Sequence, residues 1–321
     1  MVFPTTSVGS FPKPGYLAKA RSQYSENQIS RKDLEELEKR ATQEWIRFQD
    51  EIGIDVLVDG EMYRGDMVTY FAEHFSGFQI SGLVRSYGNR YYRKPIAVGE
   101  IERANPVTVE WFKYAQSLTQ KPVKGMLTGP YTIMDWSFDE FYSSRRDFCL
   151  RLAHVIHEEA RDLEEAGAQY VQIDEPAVSV RPDEIDLAIE AMGIVTDGLK
   201  AKTLTHICYG DFAGIYPKML ELPVDQIDLE LSNSEFGLLG LFKTSPFTKE
   251  IGLGVVDVHN HRIETKDEVK SRIRKAATVI KADKIYVSPD CGLKTRTVEE
   301  AKGKLKVMVE ATKELREEFA S

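Results

Sequence analysis

Residues that bind metal ions gather in this chain where short apolar runs end. In Thr203-Leu204-Thr205-His206-Ile207-Cys208-Tyr209-Gly210 an imidazole and a thiol stand two apart. In a strand that spacing puts both on one face, where they can reach one ion. Taken alone, the pair reads equally well as a core histidine and a buried thiol. Two further stretches weigh toward a metal. Asp228-Leu229-Glu230-Leu231 ends an apolar run on a carboxylate, and Ser288-Pro289-Asp290-Cys291-Gly292 puts a thiol just past another. One imidazole, two thiolates and one carboxylate from His206, Cys208, Glu230 and Cys291 make a tetrahedral zinc set, the sulfurs favouring zinc over magnesium or calcium. Two thiolates leave the metal electron-rich, which suits alkyl transfer to a bound sulfur better than activation of water.

Such residues need a scaffold that gathers strand exits from distant parts of the chain. Apolar, β-branched runs at 5–12, 54–61, 123–130, 169–176, 203–210, 224–231, 251–259 and 284–289 read as eight strands. Between them lie helical patterns. Ser30-Arg31-Lys32-Asp33 offers an N-cap, and Leu34, Leu37, Ala41, Trp45 and Phe48 recur at helical spacing until Gly53. Further helices are expected near 107–118, 150–165, 185–196, 212–220, 266–280 and 298–319. The alternation predicts an α/β fold, a TIM (β/α)8 barrel whose site lies at the C-terminal rim of the strands. No Gly-x-Gly-x-x-Gly loop follows any strand, which argues against an open nucleotide-binding sheet. Aromatic and β-branched runs broken by Gly77, Gly82 and Gly88 predict a hairpin-like insertion after strand 2, at about 75–100, in which residues 84–90 reach over a pocket. Residues 1–321 are expected to form a single domain.

Composition narrows the function. A formal net charge of −9 provides no basic field for nucleic acid or an anionic membrane, and the basic run Ser271-Arg272-Ile273-Arg274-Lys275 reads as a solvated helix face. No apolar run approaches the roughly 20 residues that span a bilayer, and the first residues carry no secretory pattern. Cys149, Cys208 and Cys291 are too scattered for a disulfide framework, so a cytoplasmic protein with two thiols on metal and Cys149 in a helix core is expected. His154 and His157 read as surface residues of one helix.

The strand-exit motifs together resemble the catalytic domain of the cobalamin-independent methionine synthases. They are Thr5-Thr6-Ser7-Val8-Gly9-Ser10-Phe11-Pro12, Asp59-Gly60-Glu61 with Arg64 and Asp66-Met67-Val68, Ser86-Tyr87-Gly88-Asn89-Arg90, Met126 to Pro130 with Asp135-Trp136-Ser137-Phe138, Gln172 to Ala177, the His206/Cys208 pair, Glu230, Asp257-Val258-His259 and Cys291. The resemblance spans nearly the whole chain. It implies a zinc-dependent homocysteine methyltransferase with zinc on His206, Cys208, Glu230 and Cys291. Ser10, Glu61 and Asp174 match residues that hold the amino-acid part of homocysteine, and His259 matches a catalytic residue beside the transferring group. Trp136 matches the aromatic that stacks on the pterin ring of the folate donor.

Full-length members carry a second, N-terminal barrel that helps bind polyglutamylated folate. A chain of this length is instead similar to the short core enzymes of archaea and some bacteria, for which a methylated corrinoid, methylcobalamin or a corrinoid protein, is the implied donor. Alternatives are methyltetrahydrofolate as donor, another thiol such as coenzyme M as acceptor, and a non-catalytic zinc- and thiol-binding protein.

Overall fold

A computed structural model of the chain describes residues 1–85, 91–208, 210, 212–232 and 236–320. The motif at 86–90 and Tyr209 therefore lie outside the described residues. The first elements are α1 (Gly15–Ser25), α2 (Arg31–Ile52), α3 (Thr69–Ala72), β1 (Phe75–Arg85), β2 (Tyr91–Arg103), α4 (Val109–Ser117), β3 (Lys124–Thr128), α5 (Pro130–Asp135) and β4 (Phe138–Asp139). There follow α6 (Arg145–Glu165), β5 (Tyr170–Asp174), α7 (Ile185–Thr196), β6 (Lys202–Ile207), β7 (Gln226–Leu229), α8 (Leu239–Thr244), β8 (Glu250–Gly254), α9 (Lys266–Ala277), β9 (Ile285–Ser288) and α10 (Val298–Ala320). The chain divides into two compact units, one of Met1–Tyr63, Trp111–Lys124 and Gln226–Ser321, the other of Arg64–Glu110 and Gly125–Asp225.

In the first unit β7, β8 and β9 pair in parallel. Beyond β9 the order continues through single parallel bridges, Thr5 to Val287, Thr6 to Val56 and Leu57 to Val123. The first two strands expected from sequence are thus bridges rather than ladders. A side chain takes part of the pairing there: Thr5 gives both its N–H and its hydroxyl to Asp55 Oδ2, at 2.7 and 2.8 Å. Helix α2 begins with the expected Ser30 cap, a capping box with Asp33, and ends on Gly53 in the left-handed region. Its buried face aligns two strand exits. Trp45 packs on Phe11 with ring centroids 4.5 Å apart and donates Nε1–H to Pro12 O. Gln49 exchanges hydrogen bonds with both the N–H and the C=O of Val58. The segments carrying Ser10 and Glu61 are therefore anchored to one helix.

In the second unit β3, β5 and β6 are successive neighbours, β5 and β6 running parallel. The expected insertion is present as the antiparallel hairpin of β1 and β2, with the short β4 parallel to β2. Its return strand is tied down by Glu159 of α6, a fully buried carboxylate that accepts from the N–H groups of Val107 and Thr108, the Thr108 hydroxyl and Arg103 Nε. Helix α6 starts at Arg145 after a Ser144 cap, ahead of the expected 150, and keeps Cys149 in the core. The helix expected over 212–220 is instead two 3₁₀ turns, Phe212–Gly214 and Lys218–Glu221; Pro217 lies between them and has no N–H to continue a helix.

Eight strand positions in chain order, alternating with helices and with a hairpin after the second, place the fold in the expected α/β (β/α)8 class. Among the described residues no helix is long and apolar enough to cross a membrane.

Candidate metal and substrate site

Strand alternation places His206 and Cys208 on one side of the β6 exit, and both are buried. The exit is held by neighbouring backbone: His206 O accepts from Glu175 N at 3.0 Å, and Cys208 O accepts from the Ser179 hydroxyl at 2.9 Å. One ligand atom each from His206, Cys208 and Cys291 lies within 4.8 Å of the others. An imidazole and two thiols this close, two of the three residues buried, fit a zinc ion by softness and by spacing.

Glu230 is not in that three-residue group. Its Oε1 lies 2.8 Å from His259 Nε2, an ion pair when the imidazole is protonated. That hydrogen bond raises the His259 pKa, against the opposing effect of burial, and the charges of Glu230, Cys291 and Asp257 raise it further. His261, two residues on, faces away to Glu300 at 2.8 Å. His154 is exposed as expected, while His157 is half-buried with Nδ1 on Val195 O.

The residues expected to hold an amino acid fall at strand exits. Ser10 O accepts from Leu293 N at 2.7 Å, and a Cβ on Gly292 would stand 2.1 Å from Ser10 Oγ. Glycine at 292 thus leaves room for the Ser10 hydroxyl beside the Cys291 turn. Glu61 adopts φ 56°, with its N–H on Asp59 Oδ1 at 2.9 Å, and Gly60 O accepts from Phe11 N. Ser10, Glu61 and Cys291 are therefore tied together through main-chain bonds of the first unit. Asp174, in the second unit, is buried at the end of β5 and accepts from Gln172 Nε2 at 2.7 Å. Trp136 is half-buried at the C-terminal end of α5.

Sequence reasoning left three nearby groups unassigned. Glu175 follows Asp174 and is fully buried; burial pushes its carboxyl up to about 7, against hydrogen bonds from Thr132 and Tyr131. Asp290 precedes Cys291, and burial pushes it up to about 6 against bonds from Ser232 and Leu231. Lys13 donates to Glu61 O at 3.3 Å, and burial, with Arg21 nearby, lowers its pKa to about 8. The only sequence signals were the acid pair Asp174-Glu175 and the Asp290-Cys291 neighbours, which reveal position but not partner.

The family described as "Cobalamin-independent synthase, Catalytic domain" matches residues 3–314. A methionine synthase of Saccharolobus solfataricus is 41% identical, the match covering 99% of this chain and 96% of that protein. A 5-methyltetrahydropteroyltriglutamate–homocysteine methyltransferase of Chelativorans sp. is 42% identical over 98% of this chain, which spans 42% of that protein's length. The solved B12-independent methionine synthase of Shewanella sp. W3-18-1, in complex with selenomethionine, has TM-score 0.90 and 30% identity, covering 100% of this chain and 99% of that one. These matches correct one expectation. The family is described as cobalamin-independent and the Chelativorans relative is named for a pteroyltriglutamate, so a methylated corrinoid, methylcobalamin or a corrinoid protein, does not stand as the donor.

Proposed function

Because the chain belongs to the cobalamin-independent synthase catalytic-domain family, we propose that it moves a methyl group from a 5-methyltetrahydropteroyl polyglutamate to the sulfur of homocysteine, forming methionine. The observation that carries this reading is the His206, Cys208 and Cys291 group, whose donor atoms are close enough to hold one ion. His206, Cys208 and Cys291 would hold zinc, with Glu230 as the fourth ligand. Zinc bound there supplies a Lewis acid that lets the substrate sulfur lose its proton at neutral pH, where a free thiol of pKa about 8.5 is mostly protonated.

The chain's own residues orient the reaction. Glu61 and Asp174 take the substrate ammonium, and the backbone at Ser10 takes its carboxylate. Fixing both ends of the amino acid aims its sulfur at the incoming methyl, and such orientation contributes several kcal/mol, of the roughly 7–11 available to proximity effects. Trp136 stacks on the pterin ring, and His259, aligned by Glu230, stands beside the transferring group. A sulfur–carbon bond forms as the nitrogen–carbon bond breaks, and the tetrahydropteroyl product takes up a proton.

The test is methionine formation by zinc-loaded protein from homocysteine and 5-methyltetrahydropteroyl mono- and triglutamate. Turnover is expected, with Cys291→Ser reducing it by about 100-fold or more, as loss of a ligand should. Tight zinc binding without methionine from either donor overturns the reading.

A further inference from the structure

We propose that Asp290 is a positioning residue that sets the metal-facing geometry of Glu230 and Cys291; the proposal rests on the zinc reading above. Its carboxylate is sealed from solvent. Oδ1 accepts from Leu231 N at 3.1 Å and Ser232 N at 3.0 Å, and Oδ2 accepts from the Ser232 hydroxyl. Its own N–H donates to Val256 O at 3.0 Å. One residue therefore ties together the chain segments leaving β7, β8 and β9.

The spacing along the chain gives the tie its consequence. Glu230 immediately precedes Leu231, Cys291 immediately follows Asp290, and His259, the partner of Glu230, lies three residues beyond Val256. No backbone torsions beyond those of adjacent residues separate the anchor points from Glu230 and Cys291. A shift at the carboxylate thus moves both side chains together. Gly254 makes room for it: a Cβ there would stand 2.2 Å from Asp290 Oδ1 and 2.8 Å from Asp290 Cα. Groups that orient metal ligands in this way typically change metal affinity about 10–100-fold when removed.

The geometry also says which replacement should suffice. Both backbone N–H groups point at Oδ1, an oxygen that asparagine retains, and an asparagine Nδ2 can donate to the Ser232 hydroxyl in place of accepting from it. Shape, and not charge, is what Asp290 supplies. The test is chelator competition for zinc by the full chain, with the visible absorption of the cobalt-substituted protein as a second readout. Asp290→Ala should bind zinc about 10-fold or more weakly and alter the cobalt spectrum. Asp290→Asn should stay within about twofold of the native affinity with an unchanged spectrum. Ser232→Ala, which removes a single hydroxyl and is the safer fold, should weaken zinc about fivefold, the fold-change that loss of about 1 kcal/mol of hydrogen bonding gives. Native affinity in Asp290→Ala and Ser232→Ala, or a loss in Asp290→Asn equal to that in Asp290→Ala, overturns the positioning role alone. Failure of the native chain to bind zinc overturns the metal reading and this one with it.

Discussion

Glu175 and Asp290 are both carboxylates sealed from solvent next to a proposed site residue, and they accept the same pattern of bonds. Each takes two consecutive backbone N–H groups and the hydroxyl of the second residue: Tyr131, Thr132 and Thr132 Oγ1 for Glu175, Leu231, Ser232 and Ser232 Oγ for Asp290. What they hold differs. The donors to Glu175 are the second and third residues of α5, a helix with Pro130 in its first turn and no side-chain cap from Gly129. Glu175 therefore supplies, from the segment just after β5, the side-chain cap that Gly129 cannot give α5. The donors to Asp290 belong to the segment just after Glu230. One carboxylate completes a helix, and the other positions a ligand-bearing turn. The first should matter mainly to stability, the second mainly to metal affinity.

The largest effect expected from this contrast is on unfolding. Glu175→Ala strands three donors in a dry site and should lower the stability of metal-free protein by about 3 kcal/mol or more. Asp290→Ala leaves its donors at Leu231 and Ser232, which belong to no helix among the described residues, and should lower it less. Urea unfolding of both variants decides this, and equal losses would remove the distinction.

Almost as large is the dependence on pH. Burial raises the Glu175 carboxyl from 4.5 to about 7, so between those values the folded chain keeps a proton that the unfolded chain releases. Its contribution is fully present below pH 4.5 and is lost as pH rises to 7. At 1.36 kcal/mol per pH unit the change is about 3 kcal/mol. Comparing the pH slope of native protein with that of Glu175→Gln isolates it; an identical slope in the variant would put the titration elsewhere.

These clamps show where sequence reading stops. His206, Cys208, Cys291 and Asp174 were legible as strand-exit positions because each ends a short apolar run, and period-two alternation already places side chains on faces. Helix α2 was legible from Ser30 to Gly53 because its caps are local chemistry. Glu175 and Asp290 could be located but not understood, since their partners are main-chain N–H groups 43 and 58 residues away, and every residue but proline has one. Separation along the chain also hid the side-chain pairing of Glu230 with His259, 29 residues apart. The strands at Thr5 and Val56 were overestimated because β-branched composition does not reveal that Asp55 competes for the Thr5 N–H.

The two glycines beneath the clamps sharpen the contrast at a smaller scale. The three atoms nearest a Cβ on Gly129 would all be Glu175 side-chain atoms, at 2.1, 2.2 and 2.5 Å, whereas those nearest one on Gly254 include backbone, Asp290 Cα and Leu229 O at 2.8 Å. Each alanine variant should cost about 1–3 kcal/mol as overpacking. In double-mutant cycles Gly129→Ala should lose most of its cost once Glu175 is alanine, because the nearest obstructing atoms are gone. Gly254→Ala should keep most of its cost when Asp290 is alanine, because the main chain remains. A Gly254 penalty that vanishes in the double variant would mean that the backbone there yields.

The smallest test removes one hydroxyl from each clamp. Thr132→Val keeps the side-chain shape but deletes the bond to Glu175 Oε2, 2.7 Å long, and the 3.3 Å contact with Ala177 N. Its stability should fall by about 1 kcal/mol, the net worth of such a bond, with zinc affinity unchanged, because the lost donor belongs to a helix start. Ser232→Ala deletes the corresponding donor to Asp290 and should show the reverse, a small change in unfolding and weaker zinc. Measured together by thermal unfolding and chelator competition, the pair asks whether an identical chemical loss is read out according to what the clamp holds. Weaker zinc in Thr132→Val to the same degree would mean that the α5 clamp also sets the ligands, acting through the bond from Glu175 N to His206 O.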